Sequence, residues 1–334
     1  MFNKIYENIK KIIKEYYQYL LFLIFIIFLF NFELPYVVEI PGGFISLDER
    51  VEVNGGYDSA GEMGMAYVSM LKGNIPFVLA SFLSDKWDLV PKTDIKYDNE
   101  TMKELNEREK ILMEEAVDNA IINAYKYANK PYNIVSKKMY VTYLDSPDTE
   151  LELLDIINSI EGVPVDNLDT IKSVLDNYNV GDEINIEVER DGKNLDVKTV
   201  IQDMAGEKKI GISFNYDYEL ETEPEVNIKI KDNESGPSGG LMMSLAVYDS
   251  LIEEDLTKGK KIIGTGTIDV DGNVGAIGGV KYKLIGAVNN DAEIFICPKD
   301  NLDEALAIKE KYRYNIDVIG VATFEEAVEE LRKL

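Results

Sequence analysis

The chain has 334 residues, of which 46% are hydrophobic, and this length and composition fit two modest folded domains and exclude collagen-like and disordered proteins. The formal net charge is −26, which disfavours nucleic acid as a partner. The sequence contains no histidine and one cysteine, which excludes Ser-His-Asp and Cys-His catalysis, histidine-ligated zinc and an intramolecular disulfide.

An uncharged segment near the N-terminus predicts a membrane anchor. No residue from 16 to 32 is charged, and a helix of this length extends ~25 Å, at the short end for a bilayer core. A cleaved signal peptide is the alternative, but no alanine follows before Ala60 to form a small-x-small site. Residues 1–15 carry four lysines and two glutamates. We therefore expect a cytoplasmic segment 1–15, a span 16–33 in contact with the lipid bilayer of the cell membrane, and an extracytoplasmic body.

The region 34–132 alternates strand-like stretches with glycine turns and then becomes helical. Apolar residues recur every four positions from Met113 to Tyr125, which predicts a helix over 102–130 that Pro131 ends. We interpret the apolar stripe of this helix as a core face, since a stripe with this spacing is typical of a helix packed on a hydrophobic core.

The region 133–202 changes to short strands around one helix. Strands are predicted over 138–144, 153–160, 183–189 and 195–201, and a helix over 169–177. The last two strands form a hairpin around Asp191-Gly192. With its segment DIINSIEGVPVDNLDTIKSVLDNYNVGDEINIEVERDGK, this region resembles a PDZ domain, although Glu152-Leu-Leu-Asp155 replaces the Gly-Asp that usually precedes the second strand. The resemblance implies a module that adds a peptide strand to a sheet edge and captures the peptide terminus.

The C-terminal block, residues 225–334, alternates strands and helices. After a strand at 225–231 come a glycine-rich loop, an apolar helix, further strands and a second helix. Apolar, buried strands are predicted at 294–297 and 316–321, and the last helices at 301–312 and 323–334. The only cysteine, Cys297, falls on one of these strands, where we expect an inert buried thiol.

The loop Gly236-Pro237-Ser238-Gly-Gly240 is the first candidate for chemistry. Glycine permits tight turns and close approach of a ligand, and Ser238 comes just before the apolar helix. Free N–H groups and the positive end of the helix dipole suit an oxyanion hole there. A serine at this position is also a common helix cap, so the loop alone leaves both interpretations open.

Two lysines at the start of a mostly apolar helix, Lys281 and Lys283, are the second candidate. Burial lowers the pKa of a lysine, and a shift from ~10.4 to near neutrality corresponds to roughly 4 kcal/mol. A neutral lysine can deprotonate a serine, the Ser-Lys form of nucleophile and base. The alternative is that both lysines lie at the surface with their stems packed on apolar neighbours.

Taken together, GPSGG and TGTIDVDGNVGAIGGVKYKLIGA resemble the Lon-type proteolytic domain over residues 225–334. With the anchor and the PDZ-like module, the chain resembles the Lon-like, PDZ-containing secreted proteases of Gram-positive bacteria. The resemblance implies an ATP-independent serine endopeptidase that cleaves extracytoplasmic peptides or proteins, without a cofactor or a metal. In agreement, the sequence has no Gly-x4-Gly-Lys-Ser/Thr loop for ATP. Lon-type domains often form rings, which leaves a homo-oligomer open.

The family register assigns roles to particular residues. Ser238 is the nucleophile, Lys283 the base and Lys281 the alternative base, since residues two apart on a helix face opposite sides. Thr265 matches the family threonine that orients the lysine, while Gly236 and Pro237 shape the turn. The backbone N–H groups from Gly236 to Ser238 are the candidate oxyanion donors.

The fold class implied is α/β (α+β): a transmembrane helix, a β-rich PDZ-like domain and a Lon-type Ser-Lys domain. The resemblance also implies that 34–132 belongs to the protease scaffold, with the PDZ-like module inserted into it. Many Lon domains carry an acid three residues before the serine, where this chain has Ser235, next to Glu234. Two other functions stay open: an inactive scaffold that binds membrane-protein or peptide termini, and a Ser-Lys acyltransferase or amidase.

Overall fold

The computed structural model describes residues 2–97, 100–146 and 148–334. Its helices are α1 Phe2–Asn31, α2 Ile75–Ser81, α3 Met102–Tyr127, α4 Leu168–Leu175, α5 Gly240–Leu251, α6 Val280–Asn289, α7 Leu302–Tyr312 and α8 Phe324–Arg332. Its strands are β1 Glu33–Ser46, β2 Val51–Val53, β3 Glu62–Asn74, β4 Asp88–Pro91, β5 Tyr132–Leu144, β6 Ile156–Ile160, β7 Val163–Pro164, β8 Glu183–Arg190, β9 Lys193–Val200, β10 Gln202–Met204, β11 Glu207–Lys209, β12 Ile212–Thr222, β13 Val226–Ile228, β14 Lys261–Gly264, β15 Thr267–Ile268, β16 Val274–Gly275, β17 Ile294–Pro298 and β18 Asp317–Val321. Short 3-10 turns occur at Lys92–Asp94, Pro237–Gly239 and Lys299–Asn301. The fold class is therefore mixed, as predicted.

The structure divides into two units. The first unit contains the residues up to Pro41 together with Val68–Ile95. In it, β1 pairs antiparallel with β4, with Tyr36 opposite Pro91. The stretch Ile13–Asn31 of α1 is apolar, is 19 residues long and is not buried in the protein, so its length and composition fit a membrane span.

The second unit, Gly42–Tyr67 and Lys96–Leu334, has a parallel sheet at its centre. Its strand order is β18-β17-β14-β3, and each neighbouring pair is parallel. Every residue of β17 is buried, as expected of a central parallel strand that is covered on both faces. One hydrophobic core joins β3, α3, α5 and α8, so residues on both sides of the PDZ-like segment in the sequence share it.

Helix α3 begins with a capping box and packs its apolar stripe in this core. The Thr101 hydroxyl accepts from the Glu104 N–H at 3.2 Å, and the Glu104 carboxylate accepts from the Thr101 N–H at 2.7 Å. Met113 and Tyr125 are buried and belong to the core that α5 completes. The helix ends at Tyr127, three residues before the predicted end, because Asn129 adopts a left-handed conformation with φ of 51°.

The PDZ-like segment forms a sheet of order β12-β5-β6-β8-β9, and α4 packs beside it. The predicted hairpin is present: β8 and β9 pair antiparallel, and both Asp191 and Gly192 between them have positive φ, at 51° and 71°. Two consecutive residues with positive φ are typical of the two-residue turn whose twist matches that of the strands in a β-hairpin.

The strand predicted over 153–160 is wrong in its first three residues, since β6 begins only at Ile156. The Asp155 carboxylate is buried and accepts from Arg190 Nε and Nη2, each at 2.7 Å, and from the Glu152 N–H at 2.9 Å. Leu154 has a φ of 75°, a conformation that favours glycine. The ion pair and this turn end the extended chain before β6 begins.

Candidate active site

Hydrogen bonds connect the Ser238 loop to the turn between β14 and β15. Ser238 lies in the 3-10 turn that leads directly into α5, and its side chain is half-buried. The Ser238 carbonyl oxygen accepts from the Gly266 N–H at 2.8 Å and from Thr265 Oγ1 at 3.0 Å. The Leu241 N–H donates to the Gly266 carbonyl at 3.0 Å. These three bonds hold the candidate nucleophile at the start of a buried helix.

Position 236 requires a glycine, because of its backbone conformation and because the side chain of Glu109 lies close to it. Its φ is 89°, and a Cβ at this position would lie 3.0 Å from Glu109 Oε2. The Gly236 N–H donates to the Glu109 carbonyl at 2.9 Å. This bond corrects the expected set of oxyanion donors, because the Gly236 N–H is already engaged and Pro237 has no N–H. Of the three residues expected to donate, Ser238 is the one whose N–H remains for that role.

Lys283 is a buried amine one turn into α6. The helix starts after Gly279, which has a φ of 70°, and the Lys283 N–H donates to the Gly279 carbonyl at 3.2 Å. The Lys283 residue is only 4% exposed, and Tyr282 and Leu284 beside it are buried as well. Burial lowers the Lys283 pKa to about 8, because the charged form loses its hydration. A substantial fraction of this amine is therefore neutral near pH 8.

Thr265 connects this amine to the Ser238 loop. Lys283 Nζ donates to Thr265 Oγ1 at 3.1 Å, and Thr265 Oγ1 donates to the Ser238 carbonyl at 3.0 Å. Thr265 is fully buried, and its N–H donates to the Ile296 carbonyl at 2.9 Å. In the part of the chain that the structure describes, no hydrogen bond joins Ser238 Oγ to Lys283 Nζ. The three predicted residues are thus brought together through the threonine.

Lys281 occupies a different environment on the same helix. It is half-buried, whereas Lys283 is almost fully buried, and its Nζ lies 5.2 Å from the centroid of the Tyr282 ring. The burial therefore distinguishes two lysines that the sequence pattern alone treats alike.

The position three residues before Ser238 has no acid, but a carboxylate from α3 lies beside the Ser238 loop. Ser235 is exposed, and the neighbouring Glu234 pairs with Arg50 Nη2 at 2.6 Å. Glu109 is the acidic residue beside Gly236; Arg108 Nη1 donates to it at 2.8 Å, while burial raises its pKa. The sequence analysis did not identify Glu109, because no local pattern relates a residue of α3 to the distant serine loop.

The described residues give little support to a cysteine nucleophile or a metal centre. Burial raises the pKa of the Cys297 thiol to about 12, so the nucleophilic thiolate is a negligible fraction at neutral pH. Within residues 2–97, 100–146 and 148–334, no group of three or more cysteine or acidic side chains is arranged to hold a metal ion. The dominant chemical feature is the buried lysine amine.

A second site lies along β12, the edge strand of the PDZ-like sheet. The Gly211 carbonyl, just before this strand, accepts from the Asp145 N–H at 2.7 Å, so Gly211 faces β5. Since successive residues of a strand alternate in direction, the backbone groups of Ile212 and Phe214 face away from β5. They form the outer edge of the sheet.

Helix α3 covers only the later part of this edge. The Tyr216 and Tyr218 N–H groups donate to the carboxylates of Glu115 and Asp118, each at 2.9 Å. Burial raises the pKa of both carboxyl groups, that of Asp118 to about 7. These carboxylates satisfy edge donors that would otherwise pair with another strand.

The uncovered start of β12 borders a groove beside α4. The cavity has a volume of about 790 Å³, and Leu168, Ile171 and Leu175 of α4 line it together with Ile212 and Phe214. An open strand edge beside an apolar groove is the arrangement into which an extended peptide adds as a further strand. This groove is therefore a candidate peptide site.

Comparison with known proteins identifies both regions. Residues 212–333 match the Lon protease (S16) C-terminal proteolytic domain, and residues 136–201 match the PDZ domain. The chain is 34% identical over 97 residues to "Lon protease homolog 2, peroxisomal" of Caenorhabditis briggsae, which covers 29% of this chain and 12% of that protein. It is 35% identical over 97 residues, with the same coverage, to the Lon protease of Campylobacter jejuni. The chain thus spans about an eighth of these relatives.

Solved structures of PDZ domains also match, at low overall similarity. The PDZ domain of the SdrC-like protein of Listeria monocytogenes is 21% identical, with a TM-score of 0.23, and the match covers 25% of this chain and 92% of that one. The corresponding domain of Listeria innocua is 21% identical, with a TM-score of 0.22, covering 23% and 92%. The family matches therefore carry the assignment: the chain combines a PDZ domain with a Lon protease (S16) C-terminal proteolytic domain, and this combination supports a serine peptidase.

Proposed function

We propose that this chain is an ATP-independent serine endopeptidase in which Ser238 is the nucleophile and Lys283 the general base. The observation that carries the proposal is the buried Lys283 amine, with a pKa of about 8, held by the Thr265 hydroxyl that also bonds to the Ser238 carbonyl. A base whose pKa lies near the working pH is the most effective at proton transfer.

The proposed reaction has two stages. Neutral Lys283 takes the proton from Ser238 Oγ as the oxygen attacks the scissile carbonyl, and the ammonium then gives this proton to the leaving amine. Lys283, neutral again, deprotonates the water that attacks the acyl-enzyme, and its ammonium returns this proton to Ser238 Oγ as the acyl–oxygen bond breaks. The Ser238 N–H stabilises the oxyanion, with the positive end of α5 behind it. Reaching Ser238 Oγ requires a change in the Ser238 or Lys283 side chain, and catalytic hydrogen bonds often tighten only when substrate binds.

The location of the substrates is part of the same proposal. We place α1 across the cell membrane with the lysines of residues 1–15 in the cytoplasm and the catalytic domain outside. Substrates are then extracytoplasmic peptides or proteins. The 334-residue sequence carries no Gly-x4-Gly-Lys-Ser/Thr loop, which supports hydrolysis without ATP. In this proposal, the groove beside α4 binds a substrate terminus and presents the substrate chain to Ser238.

Labelling with a fluorophosphonate tests the nucleophile. Full-length protein in detergent should be labelled, Ser238→Ala should not, and Ser235→Ala, an exposed serine of the same loop, should match the wild type. Peptides released from a membrane proteome by wild type but not by Ser238→Ala then identify the substrates. Equal labelling of wild type and Ser238→Ala would rule the proposal out.

An inactive PDZ scaffold that binds peptide termini is the second candidate. It is favoured by the Ser238 hydroxyl, which has no hydrogen bond to Lys283 in the described residues. Such a protein would bind terminal peptides at the α4 groove with equal affinity in wild type and Ser238→Ala, and neither protein would release new peptides.

A further inference from the structure

A short segment of the first unit exposes large apolar side chains. Residues 74–84 carry no charge, and they form α2 and the turn after it. Leu79 is 61% exposed, Phe82 73% and Leu83 90%, which makes Leu83 the most exposed large hydrophobic residue of the described chain. Neighbouring apolar side chains that face solvent in this way mark a surface that binds a membrane, a ligand or another protein.

The same segment packs against the end of α1. The Phe77 ring of α2 meets the Phe30 ring at 6.4 Å between centroids, nearly edge-on at 89°. Asn74, which caps α2, donates through Nδ2 to the Phe30 carbonyl. The apolar stretch of α1 ends one residue later, at Asn31. Helix α2 therefore lies beside the C-terminal end of the apolar stretch of α1.

We propose that α2 and the turn after it insert Leu79, Phe82 and Leu83 into the lipid bilayer, in the leaflet where α1 ends. The inference rests on the proposed membrane span of α1, since that span places the bilayer surface beside α2. Seven helical residues are too few to cross a bilayer but suffice for an interfacial contact.

The position of α2 beside α1 identifies lipid as the partner that covers these apolar side chains. A second copy of the chain or another protein would also bury these side chains, but the segment is already attached to a helix whose apolar surface needs lipid. The single tryptophan of the sequence, Trp87, follows the turn and is half-buried. Tryptophan is enriched at the level of the lipid headgroups, which agrees with this placement.

Trp87 fluorescence tests the proposal in the full chain without labelling. The protein is reconstituted into phosphatidylcholine vesicles that contain lipids brominated near the headgroup, and tryptophan is excited selectively. We expect Trp87 emission to fall by about twofold relative to unbrominated vesicles, because bromine quenches at contact and the ring lies at the interface. The double variant Phe82→Ser/Leu83→Ser should recover at least half of the lost emission, whereas Val180→Ser, an exposed apolar residue of the PDZ domain, should not.

A second tryptophan position separates this proposal from the anchor on which it rests. Phe22→Trp in a Trp87→Phe background places the reporter in the middle of the apolar stretch of α1. If deeply brominated lipids quench this reporter in α1 but no brominated lipid quenches Trp87, α1 spans the membrane and the interfacial contact is refuted. Trp87 emission that is shifted to the blue but not quenched would assign the surface to a protein partner. If neither position is quenched, both the anchor and the contact fail.

Discussion

Lys283 Nζ lies 3.1 Å from Thr265 Oγ1, and the amine is the donor of this hydrogen bond. Because the threonine hydroxyl donates its own hydrogen to the Ser238 carbonyl, its oxygen is left to accept from the lysine. An amine can donate one hydrogen in this way in either protonation state. The neutral form therefore keeps its lone pair available for a proton, as the proposed role of a general base requires, while the threonine holds the amine in position.

Replacing Lys283 should remove activity, whereas replacing Lys281 should not. Lys283→Met deletes the proposed base and should lower kcat/KM for peptide hydrolysis by roughly 10²–10⁴-fold. Lys281→Met changes a lysine of the same helix that is less buried, and it should stay within about threefold of wild type, as surface changes usually do. Loss of activity in Lys281→Met with activity retained in Lys283→Met would reverse the assignment.

The pH dependence of hydrolysis follows from the lowered pKa of Lys283. Because the proposed mechanism needs the neutral amine, kcat/KM should rise about tenfold per pH unit below the pKa of about 8 and level off above it. Initial rates with a peptide substrate across this range measure the profile. A flat profile from about pH 5 to 9 would argue against a lysine base.

The same pKa predicts how stability changes with pH. The folded pKa is about 8 and an unfolded lysine has ~10.4, so between these values the unfolded chain binds more protons and stability rises with pH. Relative to Lys283→Met, which lacks this titration, wild type should gain about 3 kcal/mol in free energy of unfolding between pH 7 and 11. Denaturant unfolding of both proteins in detergent measures the difference, and a constant difference would contradict the buried-amine explanation.

Removing the Thr265 hydroxyl should impair turnover more than substrate binding. Thr265→Val keeps the shape of a buried side chain but leaves Lys283 without its acceptor, and kcat should fall roughly 10–100-fold with KM nearly unchanged. Thr265→Ser restores the hydroxyl and should recover most of the loss. If serine and valine reduce kcat equally, packing at Thr265 matters and the hydrogen bond does not.

The groove beside α4 should determine the affinity for long substrates. Leu168 of α4 is exposed in this groove, so Leu168→Glu should repel an apolar terminal side chain and raise KM about tenfold for a substrate that reaches the groove. Val180→Glu is the matched change outside the groove and should leave KM unaltered. For a short peptide that reaches only Ser238, both variants should behave as wild type. A parallel loss of kcat on short peptides would indicate misfolding.

Much of the fold follows from local signals. The four-residue repeat from Met113 to Tyr125 predicts α3, and Asp191-Gly192 predicts the β8–β9 hairpin, because each pattern depends only on neighbours along the chain. The boundary of β6 could not be predicted in this way. It depends on the Asp155–Arg190 ion pair, whose partners lie far apart in the sequence.

The order of residues along the chain already shows which groups are available for chemistry: a serine in a glycine loop, a threonine, two lysines on an apolar helix, and no histidine. The folded chain adds three facts: Lys283 is the buried lysine, Thr265 joins it to the Ser238 loop, and the Glu109 carbonyl accepts from the N–H of Gly236. These facts could not be predicted, because desolvation and hydrogen-bond partners are properties of packed neighbours. Those neighbours come from α3, α5, β14 and α6, which the chain brings together only on folding.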